Sequence, residues 1–264
     1  QAHYGCGLYL RVVHLLGQHR LLDFDDTFGL RACHLAARSL HAAGKLEDCV
    51  SLLEKVLGQN DHAVETVKAK AEARRSSAAT RVRVRVRVRV RVRVVDAKRR
   101  RCSPGVEVLA SLCCLRGKAY ALLENRVRAV VWLRAALAVD ARCVEALQAL
   151  LRWHLLSSDE QAALLPSLDF SPEVGGGGEG GWLHSLYLSQ LNAHIRPDLQ
   201  VWGSKNLLRL GQLGLGQNLD VLAARAECCY QRNDALQALE LCRQIFGTDP
   251  HNTACLPVYL ASMV

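Results

Sequence analysis

Methionine and aromatic side chains are scarce in this sequence: one Met, four Phe, four Trp and six Tyr among 264 residues. With so few large rings, Leu and Ala supply the core, a mix that favours helices packed through small and medium side chains. Long apolar runs are lacking as well, since none approaches the ~20 residues needed to cross a bilayer. Eleven cysteines are present without a single C-x-x-C. Their odd number and the size of the chain argue against a disulfide scaffold. Cys33, Cys49, Cys113, Cys229 and Cys242 fall among Leu and Ala at helical spacing and read as small buried hydrophobes in a reducing compartment. The adjacent pairs Cys113–Cys114 and Cys228–Cys229 suit neither zinc nor redox chemistry.

Catalytic signatures are missing too. There is no G-x-S-x-G and no H-E-x-x-H. His14/His19 and His34/His41 lack the i, i+4 spacing that sets two metal ligands on one helical turn. Asp23, Asp25 and Asp26 form an acidic cluster, but no EF-hand spacing follows, so a solvated loop or helix start is the plainer reading. His154 reads as part of a packed helix end. The expectation is a chain with no catalytic residue, no cofactor, no metal site and no small-molecule substrate.

The formal charge of +9 is unevenly spread. Between residues 68 and 101, fifteen Lys and Arg face only Glu72 and Asp96, so this stretch alone exceeds the total and the remainder is net acidic. Its centre is seven consecutive Arg-Val pairs, Arg81 to Val94. Strict alternation is a strand signal, yet no partner strand lies nearby and stacked arginines repel one another. The segment 59–104 is therefore expected to be a disordered basic insertion. A translated microsatellite or retained intron is a second source of so pure a repeat. A flexible loop is expected at 171–181, where six glycines cluster without the following G-K-[ST] of a phosphate loop.

What remains is helical. Leu30 to Ala43 and Leu46 to Leu57 form one pair broken at Gly44. Leu109 to Leu123 and Val127 to Val139 form a second, and Leu219 to Gln231 with Ala235 to Phe246 a third. Ser158 with Gln161 suggests a capping box for a helix reaching Leu165. Recurrent helix pairs joined by tight turns call for a repeat signature. The tetratricopeptide pattern W-x₂-L-G-x₂-Y, then Ala, a large residue, Ala and Pro, spans ~34 residues. Its small positions lie where two helices cross closely; its large ones fill the space beside them. The central pair carries Gly117, Tyr120, Ala129, Leu133 and Ala136 at the required offsets. The third keeps Ala226, Cys229, Ala238, Cys242, Ile245 and the closing Pro250; the first keeps Ala37, Leu40, Cys49, Leu53 and Val56. The fold class expected is all-α, a tetratricopeptide-repeat superhelix of stacked hairpins. It divides into N-terminal hairpins at 1–58, the insertion at 59–104, a central hairpin and following helices at 105–170, the glycine loop at 171–181, and further hairpins at 182–264. Hairpins of this kind bury their faces by stacking and bind partners along the resulting groove.

A closer resemblance rests on Leu30-Arg-Ala-Cys-His-Leu-Ala-Ala-Arg-Ser, Leu115-Arg-Gly-Lys-Ala-Tyr with Glu124-Asn-Arg and Ala135-Ala-Leu-Ala-Val-Asp, Cys143-Val-Glu-Ala-Leu, Gln217-Asn-Leu-Asp-Val, and Asp249-Pro-His-Asn-Thr-Ala-Cys-Leu-Pro-Val. In that order they resemble the N-terminal half of subunit 6 of the anaphase-promoting complex, or cyclosome. The cover runs from Tyr4 to Val264 apart from the two interruptions and Trp182 to Leu215. The resemblance implies a non-catalytic scaffold within a ubiquitin ligase of mitosis, found in nucleus and cytoplasm, with other complex subunits as partners. It also implies a homodimer through the N-terminal repeats. Accessory-subunit binding, which the family assigns to C-terminal repeats, is not carried over. The chain starts at Gln1 inside apparent helix and Leu256 to Val264 again reads as helix, so a fragment or incomplete gene model is expected.

Two alternatives stand beside this reading. An unrelated tetratricopeptide adaptor, such as a chaperone dock, would show a carboxylate clamp of Lys, Arg and Asn, and none is evident. The 68–101 segment would bind nucleic acid through phosphates, or serve as a nuclear localisation signal helped by Lys98 to Arg101. Without aromatics for base stacking, nucleic-acid binding stays an alternative.

Overall fold

The computed structural model describes residues 2–18, 27–58, 64–73, 104–168, 170, 181–191 and 205–263. The Arg-Val run and residues 171–180 of the glycine loop lie outside the described residues, as do Asp23, Asp25 and Asp26. Every described element is helical. The chain divides into two compact units, Gln1–Leu156 and Ser157–Val264. The expected central segment 105–170 is thus divided between them, since α8 below packs on the central hairpin whereas the next helix opens the second unit.

In the first unit a short α1 (Ala2–Gly5) leads to α2 (Tyr9–Gln18), which packs on α3 (Thr27–Ala42). Helix α4 (Leu46–Leu57) returns along α3 to close the first hairpin. Glu47 and Asp48 in its first turn and Lys55 in its last complement the helix dipole. A helix over 64–73, α5, occupies part of the segment expected to be disordered. Val64, Val67 and Ala71 recur at helical spacing, Val67 and Ala71 are buried, and Lys68 bonds Glu65 at 2.9 Å. Basic composition concealed that apolar stripe.

Helix α6 (Pro104–Leu122) pairs with α7 (Arg126–Val139), and α6 also lies against both helices of the first hairpin. Apolar residues surround α6 on most sides, which suits a helix buried on several faces. Val106, Leu109, Leu112, Cys113, Cys114 and Ala119 are all buried. Helix α8 (Val144–Arg152) then packs on α7.

One corner recurs. At Gly44, Glu124, His154 and Asn233 the chain leaves a helix with positive φ, between 47° and 74°. In each case the next residue's N–H bonds the carbonyl five positions back: Lys45 to Leu40, Asn125 to Tyr120, Leu155 to Leu150 and Asp234 to Cys229. This is the Schellman termination, and only Gly44 meets its conformational demand at no steric cost. Asn125 and Asp234 then cap the returning helices, accepting the Arg128 and Gln237 N–H groups at 3.2 Å. His154 is an exposed corner of this type, not a packed helix end.

The second unit opens with α9 (Ser158–Leu164), which runs into a 3₁₀ turn at Leu165–Ser167. Its capping box is Ser157 with Glu160, one residue before the expected Ser158 with Gln161: the Glu160 carboxylate accepts the Ser157 N–H at 2.9 Å. Helix α10 (Trp182–Gln190) and α11 over 205–210 follow, the latter ending in a wide turn at Gly211–Leu215. Helices α12 (Leu219–Gln231) and α13 (Ala235–Thr248) form a hairpin, and α14 (Leu256–Ala261) packs on both. Leu222, Ala226, Cys242, Ile245 and Cys255 make its core, with Phe246 and Tyr259 edge to face at 5.2 Å.

Candidate interaction groove and a buried arginine

The central crossing is close because Gly117 has no side chain. A Cβ there would stand 2.6 Å from Leu133 Cγ and 3.1 Å from the Leu133 amide nitrogen. Ala129, Leu133 and Ala136 are fully buried around it, and Tyr120 is nearly so. In the C-terminal hairpin Ala226 and Ala238 are fully buried in turn. Pro250 lies exposed in the turn after α13, which ends at Thr248. These positions are brought together hairpin by hairpin.

The tetratricopeptide signature places Leu immediately before its Gly. Here that residue is Arg116, whose side chain is fully buried. Taking a cation out of water costs several kcal/mol unless its donors find acceptors. Nη1 donates to the Gly58 carbonyl at 2.8 Å, at the negative end of α4, and Nη2 to Glu54 Oε1 at 3.3 Å and Tyr120 Oη at 3.4 Å. Tyr120 in turn donates to Glu54 Oε1 at 3.1 Å, and the guanidinium stacks 3.9 Å from the Trp132 ring centre. Nε has no partner. One cation thus ties the first hairpin to the second. Sequence reasoning missed it, because an Arg in an Ala- and Leu-rich helix reads as surface; its place at the signature Leu is the available signal.

Helices α3, α6 and the start of α8 line a groove of about 650 Å³. Its walls carry His34, Arg38 and His41 from α3, Glu107, Ser111, Cys114 and Lys118 from α6, and Asp140, Arg142, Cys143 and Glu145 around the α7–α8 turn. Lys118 and Glu145 form a 2.6 Å ion pair across it. Burial pulls the Lys118 ammonium down, but the Glu145 hydrogen bond, together with the electrostatic pull of Cys114, Glu145 and Cys143, outweighs this and holds it above its usual value. The same bond holds the Glu145 carboxyl below the usual range. Asp140, almost fully buried, accepts the Arg142 amide at 3.0 Å and its guanidinium at 3.2 and 3.3 Å, which shapes the turn. Arg38 stacks on Tyr4 at 5.1 Å. Burial, with Arg38, lowers His34 against a partial opposing pull from Glu145; burial, with Lys118, lowers His41. Among the described residues no three His, Cys, Asp or Glu side chains gather as metal ligands, and no described helix is long and apolar enough to cross a membrane.

Burial drives the thiols of Cys49 and Cys113 up to about 12 and that of Cys242 to about 11, so these three act as small apolar fillers. The groove is a mixed-charge concave surface whose ions are largely paired within it. It suits a polar macromolecular ligand better than a small apolar one.

No family model matches the chain. It is similar to anaphase-promoting complex subunit 6 of Arabidopsis thaliana, 28% identical over 262 residues, which is 96% of this chain and 42% of that protein. It is 33% identical to anaphase-promoting complex subunit cut9 of Schizosaccharomyces pombe and 32% identical to the human cell division cycle protein 16 homolog, over 60% of this chain and 23% and 24% of theirs. The chain thus spans less than half the length of these relatives. A solved structure described as the APC/C hetero-tetramer Cut9–Hcn1 superposes with a TM-score of 0.58 at 24% identity, covering 99% of this chain and 48% of that one. That likeness shows the fold: a tetratricopeptide-type helical solenoid.

Proposed function

We propose that this chain, a subunit-6-like tetratricopeptide protein, acts as part of a non-catalytic scaffold of the anaphase-promoting complex. The carrying observation is the likeness to the plant subunit 6, which extends through both compact units and not only across the repeat-rich stretches. A tetratricopeptide likeness arising from shared Leu and Ala would concentrate in the hairpins.

On this reading the subunit contributes to ubiquitin transfer by holding other subunits in place, and its partners are those subunits and a second copy of itself. It acts in nucleus and cytoplasm. The polar groove formed by α3, α6 and α8 supports protein binding, because stacked hairpins present a concave face to extended or helical ligands. The test is affinity purification of the full-length gene product. Recovery of the other complex subunits supports the proposal. A chaperone tail recovered in their place would assign the chain to a different adaptor class. Sedimentation equilibrium of the same product reads the second claim, since a concentration-independent monomer mass would remove the homodimer. Deleting 74–101, which leaves helix α5 intact, should leave subunit recovery unchanged.

A further inference from the structure

The first unit meets solvent unevenly. Among its described residues seven large apolar side chains are exposed, and four of them, Leu122, Leu123, Val127 and Trp153, fall on two corners. One corner joins α6 to α7 and the other ends α8. They lie side by side, since the Arg126 guanidinium at the start of α7 donates to the His154 carbonyl at 2.7 Å. Val127 is 77% exposed, more than any other large apolar residue described in this unit. Apolar residues scattered singly over a surface are ordinary, whereas several on one edge mark a place where a partner sits. The charges on the same edge are mostly of one sign. Arg126, Arg128 and Arg152 are all exposed and stand against Glu124 alone within the two corners. Asp140 and Glu145 lie at the opposite end of α7 and α8. Among the described residues none of the three arginines has a carboxylate within ion-pair distance. The edge thus brings together Trp and Arg, the side chains that carry most of the binding energy at protein interfaces. The Arg126 bond ties the corners together before any partner arrives, so less ordering is left to oppose binding.

We propose that this edge docks an acidic segment of a partner protein, one in which Asp or Glu side chains flank a Leu-like side chain. The carboxylates pair with Arg126, Arg128 and Arg152, and the apolar side chain packs on Trp153 and Val127. Charge complementarity selects the sign of the partner, because the three cations lack carboxylates of their own. The aliphatic Leu122, Leu123 and Val127 favour a polypeptide over a nucleic acid, which binds through phosphates and stacked bases and gains nothing from them. The edge is separate from the groove between α3, α6 and α8, since none of these corner residues lines that cavity. The inference stands independently of the ligase reading.

The test follows fluorescence anisotropy of short labelled peptides titrated with the full chain. One panel carries Glu flanking Leu at every spacing; a matched panel carries Gly in place of Leu. The basic stretch 68–101 attracts any acidic peptide, so the margin between the two panels is the reading that counts. At least one Glu-Leu peptide should bind about tenfold tighter than its Gly counterpart, and Trp153→Ala should remove that margin. Arg152→Gln should weaken the same peptide about threefold and flatten its salt dependence. Val127→Ser supplies a second apolar variant. All three residues are exposed, so the variants keep the fold, which far-UV circular dichroism checks. The proposal is overturned by the lack of a margin in every peptide, or by one that survives both Trp153→Ala and Val127→Ser. Binding of a single-stranded oligonucleotide that depends on Trp153, with no peptide margin, would assign the edge to nucleic acid instead.

Discussion

The central and C-terminal hairpins carry the same signature yet live in different surroundings, and Arg116 and Arg225 show it most sharply. Each arginine stands one residue before the small side chain of its crossing, Gly117 or Ala226. Arg116 is fully buried against α4 and Trp132, whereas Arg225 is exposed. Helix α7 buries seven residues, α13 only three, and α13 leaves Leu236 82% exposed. The hairpin itself is therefore set by its small residues, while the environment of its outer face is set by whatever packs beside it. A signature position fixes geometry and does not fix chemistry.

The most direct way to break this comparison is to remove both arginines in turn. Arg116→Ala strips a buried cation from three acceptors and an indole face and should cost about 3–5 kcal/mol of stability. Arg225→Ala should stay within about 0.5 kcal/mol. Urea unfolding followed by hydrogen exchange over 104–139 and 219–248 separates the two units. Equal effects would mean that the buried network contributes nothing.

Next in size is the crossing. Gly117→Ala adds a methyl group against Leu133 Cγ and backbone, an overpacking of about 1–3 kcal/mol, reduced by the ~1 kcal/mol by which Ala outranks Gly in a helix. A net loss of about 1 kcal/mol is expected from the urea midpoint. Ala226→Gly should lose about the same, for the opposite reason of propensity. A stabilising Gly117→Ala would show that the helices can separate freely.

Acid sharpens the contrast further. His34 and His41 have folded-state values below their unfolded ones, so the unfolded chain binds protons first as pH falls through about 6.5. The stability they confer is present above that pH and lost below it, in the first unit. Exchange protection over 104–139 should weaken from pH 7 to 5.5, and the double variant His34→Gln, His41→Gln should flatten the dependence. A steeper curve in the variant would reverse the sign. The smallest effect lies at the corners. Glu124→Gly should stabilise by about 0.5–1 kcal/mol, since a left-handed Glu is strained, and Asn233→Gly by less, because Asn tolerates that region. Thermal midpoints of the two variants check the ranking.

Much of the helical hairpin fold was legible because its constraint is local and repeated: small residues at fixed offsets, read directly from Gly117, Ala129, Ala136, Ala226 and Ala238. The breaks were legible at Gly44, at Glu124-Asn125-Arg126 and at Asn233-Asp234, but at Glu124 and His154 the left-handed conformation itself falls on a residue type that does not advertise it. Helix α5 escaped because it is short and runs into a stretch dominated by Lys and Arg, so its stripe of Val64, Val67 and Ala71 was read with that stretch. The Arg116 network joins residues far apart in sequence, Gly58 and Glu54 with Arg116, and no period along the chain encodes such a meeting.

The arginine staple has a consequence for synthesis. A ribosome delivers Gly58 and Glu54 well before Arg116 emerges, so the acceptors are waiting when their guest arrives, in step with domains folding from the amino end. Were the gene rearranged to place α6 ahead of α4, the nascent helix would offer a naked cation beside Trp132 with nothing yet made to receive it.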